Sequence, residues 1–216
     1  MPENITKIDV DDAVLEGDLQ LKKGGGVVVF VHGSGSSRFS PRNRFVASEL
    51  NNSGQGTLLI DLLTAEEEKV DRYTAEHRFD IPLLARRVTG VLEWLITNAE
   101  TRTLPIGLFG SSTGAAAALI AAAERPSNVN AVVSRGGRVD LASSRLSMVQ
   151  SPTLLIVGEN DTLVLELNKR AMEKINTVKK LEVVPGATHL FEEPGTLENV
   201  SKLAAKWFNA HLKNIA

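Results

Sequence analysis

LFGSSTGAAAALIAAA, residues 108–123, decides the fold. An apolar run ends in two serines set between glycines, and a helix made almost wholly of alanine follows. Ala, Leu and Ile have high intrinsic helix propensity. Alanine buries little surface, however, so such a helix is selected for thinness, and something must lie close against it. Gly110-Ser111-Ser112-Thr113-Gly114 fits G-x-S-x-G and sits between a predicted strand and a predicted helix, the setting in which that pattern forms a nucleophile elbow. The turn is so sharp that a side chain at either glycine would strike neighbouring backbone, and the central serine is held in a strained conformation that lifts its hydroxyl into a site. Ser112 occupies that central position and is the candidate nucleophile. Ser111 reads as filler in the elbow.

Outward from the elbow the chain alternates. Ile5–Val10 and Val14–Leu21 read as an edge hairpin, and Gly24-Gly25-Gly26 as a turn. VVVFVH (27–32) is a continuous β-branched run, as expected of a strand buried on both faces of a parallel sheet. A helix opening near Pro41 and the strand TLLID (57–61) come next. The acidic stretch 64–79 reads as a solvated loop with at most a helical turn. Asp80 is the expected N-cap of a helix from Ile81 to about Asn98. Beyond the elbow follow strands at 129–134, 153–158 and 180–184 and helices at 163–176 and 196–212. The prediction is an α/β fold, a doubly wound, mostly parallel sheet flanked by helices, in a single domain over residues 1–216. Eighteen residues separate Ser134 from Thr153, too few for a lid domain there.

A serine nucleophile needs a base, and the base needs an orienting acid. His189, in PGATHLF after the last strand, is where a loop at the carboxyl edge would present an imidazole. His32 reads as a structural residue that hydrogen-bonds a loop, and His77 and His211 as surface residues. Asp161, in VGENDTLV after the penultimate strand, is the candidate acid, with a helix N-cap as its competing role. The chain order Ser112, Asp161, His189 is that of α/β hydrolases. An oxyanion hole would take backbone N–H groups from Ser34, in HGSGSS (32–37), and from Thr113. Arg135 and Arg138 flank two glycines past a strand's carboxyl end and are candidates to bind a substrate carboxylate; a solvated turn with surface arginines is the alternative.

The four motifs HGSGSS, GSSTG, GENDTLV and GATHLF span residues 32–191. By them the chain resembles the α/β hydrolases and, among these, the small dienelactone hydrolase-like proteins. SRGGRVDLA (134–142) and SPRNR (40–44) are similar to a branch sometimes fused to phosphoribosyltransferase domains, though no such domain is expected within these 216 residues. The resemblance implies the fold and the triad. It also marks a departure, because dienelactone hydrolases carry cysteine at the nucleophile position and this chain has Ser112.

Composition narrows the partners. The 24 basic residues nearly balance 26 acidic ones and no basic run exceeds two residues, so neither nucleic acid nor an anionic membrane is an expected partner. The longest apolar run, Ala115–Ala123, is too short to span a bilayer, and MPENITKIDV is no secretory signal. There is no cysteine, hence no thiolate chemistry and no Cys-ligated zinc. A cytoplasmic enzyme without cofactor or metal is expected, its oligomeric state left open, a homo-oligomer included. A nucleotide-binding reading fails at Gly33, where G-x-G-x-x-G would need glycine at the position of Arg38. A catalytically silent binding module is the other alternative, and the intact Ser-Asp-His set argues against it. The expected activity is serine-dependent hydrolysis of a small soluble ester or lactone through an acyl-enzyme.

Overall fold

Apolar residues occupy both faces of the central strands, so helices must cover the sheet on both sides. The structure, a computed structural model, describes residues 5–11 and 13–213. Strands β1 (Thr6–Val10) and β2 (Ala13–Gln20) form the expected hairpin, with Ile8 opposite Leu15. β3 (Val27–Val31), β4 (Gly56–Ile60), β5 (Ile106–Ser111), β6 (Ala131–Arg135), β7 (Thr153–Gly158) and β8 (Lys179–Val184) run parallel. The eight strands lie in the order β1-β2-β4-β3-β5-β6-β7-β8, with β2 antiparallel to β4.

Strand alternation sorts the core into two layers. Val27, Val29 and Val31 of β3 join Leu108 of β5 beneath α3 (Ile81–Thr97) and α4 (Thr113–Glu124). Val28, Phe30 and Phe109 face the other way, under α1 (Pro41–Asn52) and α6 (Thr196–His211). α5 (Thr162–Lys174) follows β7. Between β6 and β7 the chain makes only two 3-10 turns, Val139–Ala142 and Leu146–Met148, and no lid domain. No helix among the described residues is long and apolar enough to cross a membrane.

The stretch 64–79 corrects the sequence reading. It contains a ten-residue helix, α2 (Ala65–Thr74), where a solvated loop is expected. A capping box starts it: the Thr64 hydroxyl accepts from the Glu67 N–H, and the Glu67 carboxylate accepts from the Thr64 N–H. Glu66, Glu67 and Glu68 in its first turn complement the helix dipole. Of its residues only Asp71 is buried, so no apolar stripe at helical spacing announces it.

Candidate active site

The thin helix explains itself in three dimensions. α4 begins directly after Ser112 and is packed over β3 and β5, with Ala115 to Ala118 fully buried. A Cβ at Gly114 would lie inside van der Waals contact of the Val31 and His32 carbonyl oxygens. Ser112 itself has φ 50° and ψ −122°, a backbone state that costs a non-glycine residue roughly 1–3 kcal/mol. Two bonds hold that strained turn, from the Ser112 N–H to the Arg135 carbonyl (3.1 Å) and from the Arg138 N–H to the Ser112 carbonyl (3.0 Å).

The structure brings together Ser112, Asp161 and His189, which lie on three different loops. His189 Nε2 is 3.2 Å from Ser112 Oγ, and His189 Nδ1 is 2.6 Å from Asp161 Oδ2. Asp161 stands at the N-cap position of α5, yet its side chain makes no capping hydrogen bond. The carboxylate turns to the imidazole instead. With Asp161 accepting from Nδ1–H, Nε2 is left as the lone-pair nitrogen facing the serine. Gly136, at φ 53°, adopts a backbone state that side-chain-bearing residues rarely take, and a Cβ there would crowd the His189 carbonyl oxygen at 3.2 Å.

Behind the site, His32 is buried and fixes two loops. Its Nδ1 is 2.9 Å from the Gly33 carbonyl, and its Nε2 accepts from the Leu62 N–H at 3.1 Å. Burial pushes its pKa below the ordinary imidazole value. His77 is half-buried in the turn after α2, its N–H bonded to Asp71, and His211 packs its ring against Trp207 at 4.6 Å.

The oxyanion candidates differ from one another. The Thr113 N–H, at the start of α4, makes no hydrogen bond among the described residues. The Ser34 N–H is already engaged, donating to Thr113 Oγ1 at 2.8 Å. The Ser34 loop is pinned by Arg38, whose N–H donates to Asp61 Oδ1 at 2.7 Å and whose guanidinium meets Asp61, Glu16 and Asp18. Sequence reasoning missed this cluster, because nothing local in the chain pairs Glu16 and Asp18 of β2, Asp61 just after β4 and Arg38 of the loop.

The two arginines also part ways. Arg138 makes a bidentate pair with Asp140, both contacts 2.9 Å, on the surface. Arg135 is 7% exposed and points into the α1 layer: its Nε is 3.4 Å from Ser111 Oγ, and its Nη1 has no partner. Burial, with Arg42 nearby, lowers its pKa to about 10. Ser111 Oγ in turn donates to Asn43 Oδ1 at 3.0 Å. Ser111 thus faces away from His189, tied to α1. A cleft of about 740 Å³, lined by His32, Ser36, Arg38, Asp61, Thr64 and Arg72 among others, opens beside the Ser34 loop; Ser112 and His189 do not line it.

Residues 12–214 match the dienelactone hydrolase family. The chain belongs to that family. A dienelactone hydrolase from Anabaena variabilis has the same fold at 53% identity, with a TM-score of 0.96 and 97% of both chains covered. Est1E from Butyrivibrio proteoclasticus is similar in fold alone, at 16% identity and TM-score 0.79 over 95% of this chain and 98% of its own. Proteins of two Mycobacterium tuberculosis strains, provisionally named phosphoribosyl transferases, are 59% identical over 191 residues. Those residues are 88% of this chain and 42% of the relatives' length, so the chain spans less than half of the curated proteins it matches.

Proposed function

We propose that the protein is a serine hydrolase of small carboxylic esters or lactones, with Ser112 as nucleophile, His189 as general base and acid, and Asp161 as the orienting carboxylate. One observation carries this reading: the unbroken chain Ser112 Oγ, His189 Nε2, His189 Nδ1, Asp161 Oδ2, mounted on a strained elbow. Ser112 Oγ forms a bond to the carbonyl carbon while its proton passes to His189 Nε2 and the carbonyl π electrons move onto oxygen. The tetrahedral adduct collapses, the alkoxide leaves with the proton from His189, and an acyl-Ser112 ester remains. Water, deprotonated by the same nitrogen, repeats the sequence and frees the acid. Asp161 holds the tautomer and stabilises the imidazolium. No step needs a metal or cofactor.

A small substrate is favoured because only 3-10 turns lie where a lid could stand, leaving little apolar wall for a long acyl chain. Where the substrate carries a carboxylate, we propose that Arg135 rather than the already paired Arg138 meets it, which requires the buried guanidinium to turn from Ser111 toward the pocket. We assign the phosphoribosyl transferase name to the portion of the mycobacterial proteins that this chain does not span, since the matched portion is the hydrolase-family segment. The cytoplasm is the proposed location.

The test is hydrolysis of nitrophenyl acetate together with labelling by a fluorophosphonate. Ser112→Ala should lower turnover by about 10⁴ or more and abolish labelling, whereas Ser111→Ala, whose hydroxyl contacts Asn43, should stay within roughly tenfold of wild type. Labelling that persists in folded Ser112→Ala overturns the assignment.

A further inference from the structure

The Ser34–Thr113 hydrogen bond leaves the oxyanion hole in an unusual state. A hydroxyl carries one donor hydrogen and two acceptor lone pairs. Thr113 Oγ1 uses a lone pair to accept the Ser34 N–H at 2.8 Å, and its own hydrogen has no acceptor among the described residues. Thr113 is buried, at 6% exposure, and its backbone N–H also lacks a partner. Two unused donors therefore belong to the residue that directly follows the nucleophile. Donors left without a partner beside a nucleophile are suited to one function: they wait for negative charge that develops only during reaction.

We propose that the Thr113 hydroxyl is itself a donor of the oxyanion hole, with the Ser34 amide acting through it. This rests on the serine hydrolase reading of the same site. When Ser112 Oγ bonds to the carbonyl carbon and its proton moves to His189, the oxygen that takes up the π electrons accepts from two hydrogens of one residue, Thr113 N–H and Thr113 Oγ–H. No proton leaves the threonine. The Ser34 N–H polarises the hydroxyl from behind and makes it a stronger donor, as in other hydrogen-bond chains. On collapse the electrons return to the carbonyl and the hydroxyl is again without an acceptor. Ser34 is then a positioning residue, and Thr113 a catalytic one through its side chain as well as its backbone.

Three proteins test this: wild type, Thr113→Val, which keeps the β-branched shape without the hydroxyl, and Thr113→Ser, which restores the hydroxyl without the methyl. With nitrophenyl acetate, Thr113→Val should lower kcat by roughly 10²-fold, the scale of losing one oxyanion donor, with KM near that of wild type. Thr113→Ser should recover most of the loss. Affinity for a trifluoromethyl ketone, which forms a tetrahedral adduct with the serine, should fall in Thr113→Val by the same factor as kcat/KM, a change that a purely structural role would not produce. Melting curves check folding, with Thr113→Ala in place of the valine variant should valine not be tolerated. A valine or alanine variant as fast as wild type, or faster, means that the freed Ser34 amide is the direct donor and overturns the proposal. A serine variant as slow as valine overturns it too. Wild type that neither hydrolyses esters nor takes a fluorophosphonate label instead sinks the hydrolase reading itself, a separate outcome.

Discussion

Substituting Gly114 by alanine tests whether the thin helix and the elbow are one device. A Cβ at this position would lie 2.8 Å from the His32 carbonyl carbon and closer still to the Val31 and His32 carbonyl oxygens. Ordinary carbon contacts begin near 3.5 Å, so α4 must lift from β3 by about 1 Å. The obstacle is strand backbone, which cannot rotate aside as a side chain can. Overpacking costs about 1–3 kcal/mol where side chains can adjust, and here the upper end, about 3 kcal/mol, is expected. For a chain of this size that is roughly 6–12 °C in melting temperature. The same lift moves Ser112 and Thr113 relative to His189 and the Ser34 loop, and a displacement of about 1 Å in a catalytic group can cost about 10²-fold in rate. Thermal denaturation and ester turnover on one preparation measure both. Gly114→Ala with wild-type melting and wild-type turnover would refute the argument that close backbone approach, rather than helix propensity, selects the glycine. Propensity alone predicts the opposite sign, since alanine is the better helix former.

Other outcomes follow from particular side chains. A series of nitrophenyl esters should show highest kcat/KM at short acyl chains and a decline by about ten carbons, for want of apolar wall; a maximum at long chains would contradict this. Arg135→Met should raise stability by about 1–3 kcal/mol by removing an unpaired buried donor, yet lower kcat/KM for a carboxylate-bearing ester more than for its neutral analogue. Equal losses on both esters would leave the arginine as scaffold. The pKa of His32 is depressed by burial, so the folded state disfavours its proton; its contribution is complete above the ordinary imidazole value near 6.5 and is lost as pH falls below that toward the folded value. Between pH 7.5 and 5 the melting temperature of wild type should fall more steeply than that of His32→Asn, which starts lower for want of the Leu62 contact. Parallel curves would remove His32 from the pH response.

Much of this protein was legible in its sequence because the decisive features are local. VVVFV reads as a strand buried on both faces because its unbroken apolar run is β-branched, unlike the alanine run of the helix. GSSTG between an apolar strand and an alanine run reads as a tight strand-to-helix turn, and Asp80 caps its helix through a bond to a residue three positions on. The chain order of Ser112, Asp161 and His189 follows from which strand each loop succeeds. The helix α2 was hidden because polar residues surround it, so capping chemistry rather than periodicity stabilises it. Tertiary structure alone decided what lies between distant side chains. That Asp161 turns from its helix to His189, that Arg135 and Asn43 hold Ser111 away from the site, and that Thr113 accepts the Ser34 amide across 79 positions of sequence all depend on strand order and loop height. Short-range backbone geometry is set by residue size and caps. Long-range hydrogen bonds require two loops to arrive within 3 Å of each other, and only the packed sheet brings them there.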